Sequence, residues 1–262
     1  MMTSETPHSP RDGRFIAVLA DIHANREALK AVLADLDAWV AGMPPGTNPT
    51  IVALGDMIGY GGDPGAVLAM VRDRGMLAVM GNHEKGAVDA ACRAACFHQH
   101  SREALTRTRE LLSESDLASL SGLPASLVLF GLRFVHGMPP DDPLTYLVTQ
   151  DDDAVRRAFA AFPERTCFVG HSHVLEGASL RDGRLVRFDY GGEPFWPDPA
   201  ARHILCCGSV GQPRDGDNRA KYVLIDTEEQ CVTVRRVPYD IAGAAARIIE
   251  RGLPRRYADR LW

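Results

Sequence analysis

The chain has 262 residues, room for one large domain or for a domain with a small appendage. Apolar residues make up 45% and charged residues 24%, ordinary globular proportions that exclude a disordered or fibrous chain. With 29 Lys and Arg against 34 Asp and Glu the net charge is −5, which argues against a dedicated nucleic-acid surface.

Residues 1–14 (MMTSETPHSPRDGR) lack the apolar segment of a secretory signal and read as a polar, mobile arm, with 15–262 as a single domain. Residues 15–20 (FIAVLA) are a continuous apolar run, the pattern of a strand covered on both faces. Over 26–40, Leu29, Val32, Leu33, Leu36 and Val40 fall on one helical stripe, which Gly42 and Pro44-Pro45 end. A second buried strand follows at 50–54 (TIVAL), a helix opened by proline at 64–74, and a third strand at 76–80 (MLAVM). Three successive units of strand and polar turn predict βαβ winding and a mainly parallel sheet. From 86 to about 120 the chain is helical and polar, an insertion. Residues 125–130 and 132–135 form a hairpin about Gly131, 151–161 a helix and 166–169 a short strand. Runs rich in β-branched residues at 184–188, 204–207, 222–225 and 232–237 predict further strands. A last helix at 241–251 belongs to a helical tail over about 239–262. No run reaches the roughly 18 apolar residues of a membrane span, so a cytoplasmic protein is expected. The six cysteines form no CxxC pair and read as buried free thiols rather than a zinc or disulfide framework.

The informative feature is where the polar residues fall. Asp21, His23, Asp56, Asn82, His83, His136, His171 and His173 all come just after predicted strands, where open α/β sheets form their ligand crevice. One polar residue after a strand is turn chemistry; five consecutive cases that each supply His, Asp or Asn are a site. Carboxylate, imidazole and amide oxygen together suit borderline divalent ions, whereas Mg or Ca prefer all-oxygen cages. Eight candidates exceed what one ion uses, and two ions about 3.5–4 Å apart sharing a carboxylate use them naturally. In Asp21-x-His23 and His171-x-His173, residues two apart in extended chain point the same way and reach one cluster. Glycines before Asp56, Asn82 and His171 allow the tight turns this needs.

In this order, DxH at 21–23, GD at 55–56, GNHE at 81–84, VHG at 135–137 and GHSH at 170–173 resemble the calcineurin-like metallophosphoesterases. The stretches DIHANREAL, LGDMIGYGGDP and GSVGQPRDGD are more closely similar to the small bacterial and archaeal phosphodiesterase branch, of the YfcE type. The likeness spans most of 15–226, and the tail from 239 to 262 is also in the style of that branch. It implies a four-layer α/β/β/α sandwich with mixed sheets and a dinuclear site at the strand ends. By the resemblance, Asp21, His23, Asp56 and His173 would hold one ion. Asp56, Asn82, His136 and His171 would hold the other, with Asp56 bridging. Manganese heads the implied metals, with Fe, Ni, Co or Zn as alternatives. The implied chemistry is attack of a metal-bound hydroxide on phosphorus, with His83 as the acid that protonates the leaving oxygen.

One departure shapes the substrate reading. Protein phosphatases of this superfamily carry GDxVDRG, whose second Asp orients the GNHE histidine and whose Arg grips phosphate; this chain reads GDMIGYGGD. Asp63 is a possible partner for His83, although a cap for the following helix is its plainer reading. A phosphodiester of a small or nucleotide-like substrate is therefore expected. The rivals are a phosphomonoesterase, a protein serine/threonine phosphatase or, in a different class, a non-catalytic metal-binding scaffold. The complete ligand set and His83 oppose the scaffold, and the negative net charge opposes a nuclease. Candidate substrate contacts are Arg214 in the Gly-rich turn at 208–216, Tyr60 as a stacking ring and His98, if the helical insertion roofs the cleft. Their plainer readings are a structural turn, a packed ring and a surface helix. Glu84 reads as a first-turn helix acid and Ser172 as a small spacer between two ligands. Arg251, Arg255, Arg256 and Arg260 read as a solvated helix face. A homodimer is expected by family analogy alone.

Overall fold

The computed structural model describes residues 12–262, so most of the expected arm at 1–14 lies outside the described residues. Its last three positions open the first strand, β1 (Asp12–Leu19). In chain order there follow α1 (Arg26–Ala41), β2 (Pro49–Ala53), α2 (Pro64–Asp73) and β3 (Leu77–Ala78). Four helices come next: α3 (Asn82–Val88), α4 (Ala90–Cys96), α5 (Gln99–Glu110) and α6 (Glu114–Ser121). Then come β4 (Ser126–Leu129), β5 (Leu132–Val135), α7 (Asp152–Ala160), β6 (Thr166–Val169), β7 (Glu176–Arg181) and β8 (Arg184–Asp189). The chain continues through β9 (Arg202–Cys206), β10 (Ala220–Asp226), β11 (Cys231–Val237), α8 (Ile241–Glu250) and α9 (Arg255–Asp259).

The strands form two sheets, one in the order β11-β10-β1-β2-β3 and one in the order β4-β5-β6-β9-β7-β8. The β1-β2-β3 core of the first and the β5-β6-β9 core of the second are parallel. Antiparallel strands flank both cores, so the expectation of a mainly parallel sheet gives way to two mixed ones.

Side-chain alternation builds the layers. In β1, Ile16 and Val18 point one way, to meet Phe134, Phe168 and Leu205 of the second sheet. Ala17 and Leu19 point the other way, to Leu29, Val32, Leu33 and Leu36 of α1 and Val67 and Leu68 of α2. The outer face of the second sheet packs Val135, Cys167, Val169 and Ile204 on Val155 and Phe159 of α7. The result is the expected four-layer α/β/β/α sandwich, in which each fully buried side chain of this size contributes about 1.5–3 kcal/mol. Asn25 caps α1 by accepting from Ala28 N at 3.0 Å. Phe130 and Gly131, both at positive φ, make the two-residue turn that joins β4 to β5. No described helix is long and apolar enough to cross a membrane. All six cysteines are free thiols, and four of them are buried.

Candidate metal centre

The C-terminal ends of the two parallel cores open on the same place. Asp21 and His23 follow β1, Asp56 follows β2, Asn82 and His83 begin α3 beyond β3, His136 follows β5, and His171 and His173 follow β6. All eight are buried. The backbone is left-handed at Asp21, His23, Asp56, His171 and His173, with φ between 47° and 66°. The paired residues therefore converge through tight turns and not by the extended alternation expected from sequence. Each such non-glycine position costs about 1–3 kcal/mol, and such costs gather at functional sites. Gly55 (φ 79°) and Gly81 meet backbone to backbone: a Cβ on Gly55 would lie 2.5 Å from Gly81 N. That contact closes the end of β2 on the start of α3.

The cluster has two halves. Asp21 Oδ1 lies 3.3 Å from His173 Nε2 and 3.9 Å from His23 Nε2, and the two imidazole nitrogens are 3.1 Å apart. Opposite them, His136 Nε2 is 3.0 Å from Asn82 Oδ1, 3.1 Å from His171 Nδ1 and 3.4 Å from Asp56 Oδ2. Asp56 Oδ2 is also 3.7 Å from His23 Nε2, so this oxygen stands between the halves.

Backbone carbonyls fix which ring nitrogens carry protons, because a carbonyl only accepts. His23 Nδ1 donates to Ile58 O, His173 Nδ1 to Gln212 O, His136 Nδ1 to Leu54 O and His171 Nε2 to Leu144 O. Burial pushes His23 and His173 well below the usual imidazole range and His171 down to about 3. Those three rings are neutral, and their inward nitrogens are bare lone pairs. Lone pairs 3.1 Å apart repel each other, and the buried Asp21 Oδ1 has no hydrogen-bond partner. A donor set made of acceptors aimed at one another is satisfied by cations between them. Burial opposes charge on His136, but Asp56 and Asp21 outweigh it and lift that ring to about 9. Burial likewise raises Asp21 to about 7, whereas His136, His83 and His23 overcome burial and hold Asp56 well below the usual carboxylate range. In the protein alone, a proton on His136 supplies the positive charge these carboxylates call for.

His83 packs against Tyr60, His23 and Phe97 at ring-centroid distances of 4.5, 4.9 and 5.3 Å. Its backbone N–H donates to Asp56 Oδ1 at 2.9 Å, and its Nε2 lies 3.9 Å from Asp56 Oδ2. A Cβ on Gly59 would overlap His83 Nδ1, so the missing side chain makes room for the ring. Asp63 stands at the N-cap position of α2, the plainer of its two expected places, and does not pair with His83. Its buried carboxylate faces Arg26, Arg247 and Arg251 at 3.6, 3.5 and 3.3 Å and makes no side-chain cap bond to α2.

Glu84 does more than its expected place in a first turn. Its carboxylate accepts from the N–H groups of Gly81, Asp56, Met57 and Ile58, clamping the GD loop to α3. Spacing alone does not reveal such a clamp, since its donors are main-chain groups. Tyr146 also escaped sequence reasoning: its ring stacks on His171 at 3.5 Å, from an irregular loop without periodicity. Of the expected substrate contacts, Tyr60 packs on His23 and His83, and Arg214 N–H donates to His173 O. Tyr60, Gln212, Pro213, Arg214 and Arg260 line a cleft of about 450 Å³. His98 is exposed at the start of α5, and Phe97 is the insertion residue that touches His83. Ser172 is buried between the two histidines.

Comparison with known proteins agrees with this geometry. A family model described as the calcineurin-like phosphoesterase superfamily domain matches residues 15–230. An uncharacterised protein of Methanocaldococcus jannaschii is 31% identical over 254 residues, 95% of this chain and 97% of its own length. The crystal structure of a metallophosphoesterase from Sphaerobacter thermophilus superposes with a TM-score of 0.76 at 32% identity, covering 94% of this chain and 98% of that one. A hypothetical protein from Pyrococcus horikoshii shares the fold, with a TM-score of 0.72 at 21% identity over 95% of this chain and 97% of its own.

Proposed function

Because the chain belongs to the calcineurin-like phosphoesterase superfamily, hydrolases of phosphoester bonds, we propose that its substrates are small or nucleotide-like phosphodiesters. The observation that carries this reading is the aromatic flanking of the cluster. Tyr60 lies over His23 and His83 on one side, Tyr146 over His171 on the other, and the Arg214 guanidinium acts on both tyrosines. Burial keeps both phenols protonated, with Tyr60 pushed up to about 12, so neither adds negative charge to the cleft. A diester carries one negative charge and two organic substituents, which suits one guanidinium between two rings.

In this reading Asp21, His23, Asp56 and His173 would hold one divalent ion, and Asp56, Asn82, His136 and His171 the other. Manganese is our first choice for both. Bound there, such ions would lower the pKa of water enough to give a nucleophile at neutral pH and would offset charge on the phosphoryl oxygens. Arg214 aligns the phosphate, and the tyrosines hold its substituents and exclude water. Burial keeps His83 neutral, so its N–H can donate to the departing oxygen as negative charge develops there.

The test is hydrolysis of bis-p-nitrophenyl phosphate against p-nitrophenyl phosphate by the chain reconstituted with Mn, Ni, Zn or Mg. Preference for the diester with Mn or Ni is expected. Preference for the monoester would move the assignment to a phosphomonoesterase. No turnover despite two bound ions per chain would favour the scaffold.

A further inference from the structure

We propose that Arg260 forms an outer anion subsite at the mouth of the cleft, so that the preferred ligand is a nucleotide bearing a second phosphate besides the one at the metals. The inference rests on the phosphodiester reading above and adds to it a substrate class.

The C-terminal helix α9 is docked, not loose. Tyr257, Ala258 and Leu261 are buried, and Asn218 Nδ2 donates to Trp262 O at 3.3 Å. Tyr257 packs on Tyr60 at 4.8 Å between centroids, and the Arg260 guanidinium lies 5.9 Å from the Tyr257 ring. A continuous path of side chains thus runs from His23 and His83 through Tyr60 and Tyr257 to Arg260. Arg251, Arg255 and Arg260 are exposed, as expected of a solvated face, and two of them do more: Arg251 holds Asp63 and Arg260 lines the cleft.

Two observations point to an anion. First, among the described residues neither Arg214 nor Arg260 has an ion pair, because the nearby carboxylates are engaged elsewhere. Asp215 faces Lys221 at 2.9 Å, Asp217 faces Arg219 at 2.6 Å and Asp259 faces Arg255 at 3.4 Å. Second, the two arginines, both exposed, stand at different distances from the cluster. Arg214 is tied directly to a cluster residue, its backbone N–H donating to His173 O at 3.1 Å, whereas Arg260 reaches the cluster only through Tyr257 and Tyr60. The inner arginine thus serves the phosphate at the metals and the outer one a further phosphate. A cleft of about 450 Å³ with Tyr60 on its wall has room for the nucleoside between them.

The test is calorimetric titration of the manganese-loaded chain with adenosine 3′,5′-bisphosphate and adenosine 5′-monophosphate. The bisphosphate is expected to bind about tenfold more tightly, the order of one charge-assisted contact. Arg260→Gln should bring the two affinities together, and Arg260→Lys should restore part of the difference. Arg255→Gln, on the same helix but facing Asp259, should keep it. Equal affinities in the unaltered chain, or a difference that survives Arg260→Gln, would overturn the subsite. Failure to cleave bis-p-nitrophenyl phosphate, with the affinities behaving as expected, would remove the diesterase reading and leave the subsite standing.

Discussion

His83 rests its ring on Tyr60, His23 and Phe97 and turns Nδ1 toward Gly59, where no hydrogen-bond partner meets it. The same ring shares a 4.8 Å neighbourhood with His23 and Asp56, which would also suit a metal ligand. The two roles separate on substitution. For a proton donor, His83→Asn is expected to slow hydrolysis of bis-p-nitrophenyl phosphate by about 10²–10⁴-fold, with metal analysis still finding two ions per chain. Loss of an ion along with activity would make His83 a ligand. At this scale the sequence was most readable where a side chain follows a strand, because strand ends are set by apolar runs and the next polar residue has few places to go. It was least readable where the partner is main chain or comes from an irregular loop. Glu84 binds four backbone donors, and Tyr146 stacks from a segment without period, so neither leaves a pattern.

Between elements, α1 is tied to the first sheet by Asp35. Its carboxylate accepts from Arg235 of β11 at 2.8 and 3.0 Å and from the Tyr222 hydroxyl of β10 at 2.8 Å. Burial raises the Asp35 carboxyl, but Arg235 and Tyr222 outweigh it and hold it below the usual carboxylate range. A depressed carboxylate contributes stability that is full above its unfolded pKa and is lost as pH falls through the folded one. Asp35→Asn is therefore expected to cost about 1 kcal/mol at pH 7, since Arg235 is partly exposed to solvent. The cost should shrink as the pH is lowered below about 4, where the unfolded carboxyl titrates. Thermal unfolding of both chains at pH 7 and pH 3 reads this; an equal gap at both would show that packing, not charge, is what Asp35 supplies. The strongly periodic α1 and the short, wholly buried β6 were legible nearly to the residue. β3 proved shorter than its apolar run because Met80 N donates to Pro124 O instead of joining the ladder. β7 was missed: EGASLR has no β-branched residue, and Gly177 serves to admit the Phe188 ring from β8.

Across the whole molecule, the cluster joins two sheets that sequence could not tell apart, since every strand end carries the same kind of polar turn. β9 comes between β6 and β7 by long-range pairing, which no local signal announces. Asp21, His23, Asp56 and Asn82 follow strands of the first sheet, and His136, His171 and His173 follow strands of the second. The direct polar ties between these ends include His171 N–H to Asp21 Oδ2 at 2.9 Å and His136 Nδ1 to Leu54 O at 2.6 Å. Beside them the bare nitrogens of His23 and His173 face each other at 3.1 Å, an unfavourable contact that a bound ion would relieve. Ions that bind this arrangement only when folded stabilise the whole chain by mass action, about 2.7 kcal/mol for each site at a hundredfold excess over its Kd. For a chain of this size each kcal/mol moves the midpoint by roughly 2–4 °C. Chelation is accordingly expected to lower Tm by about 5–10 °C per ion removed, and added manganese to restore it. Because the ligands span both sheets, the loss should appear as one cooperative transition shifted down. Separate melting of one sheet, or a Tm indifferent to chelator in a chain shown by metal analysis to have lost its ions, would mean that the two halves of the cluster do not share the ions that the facing lone pairs require.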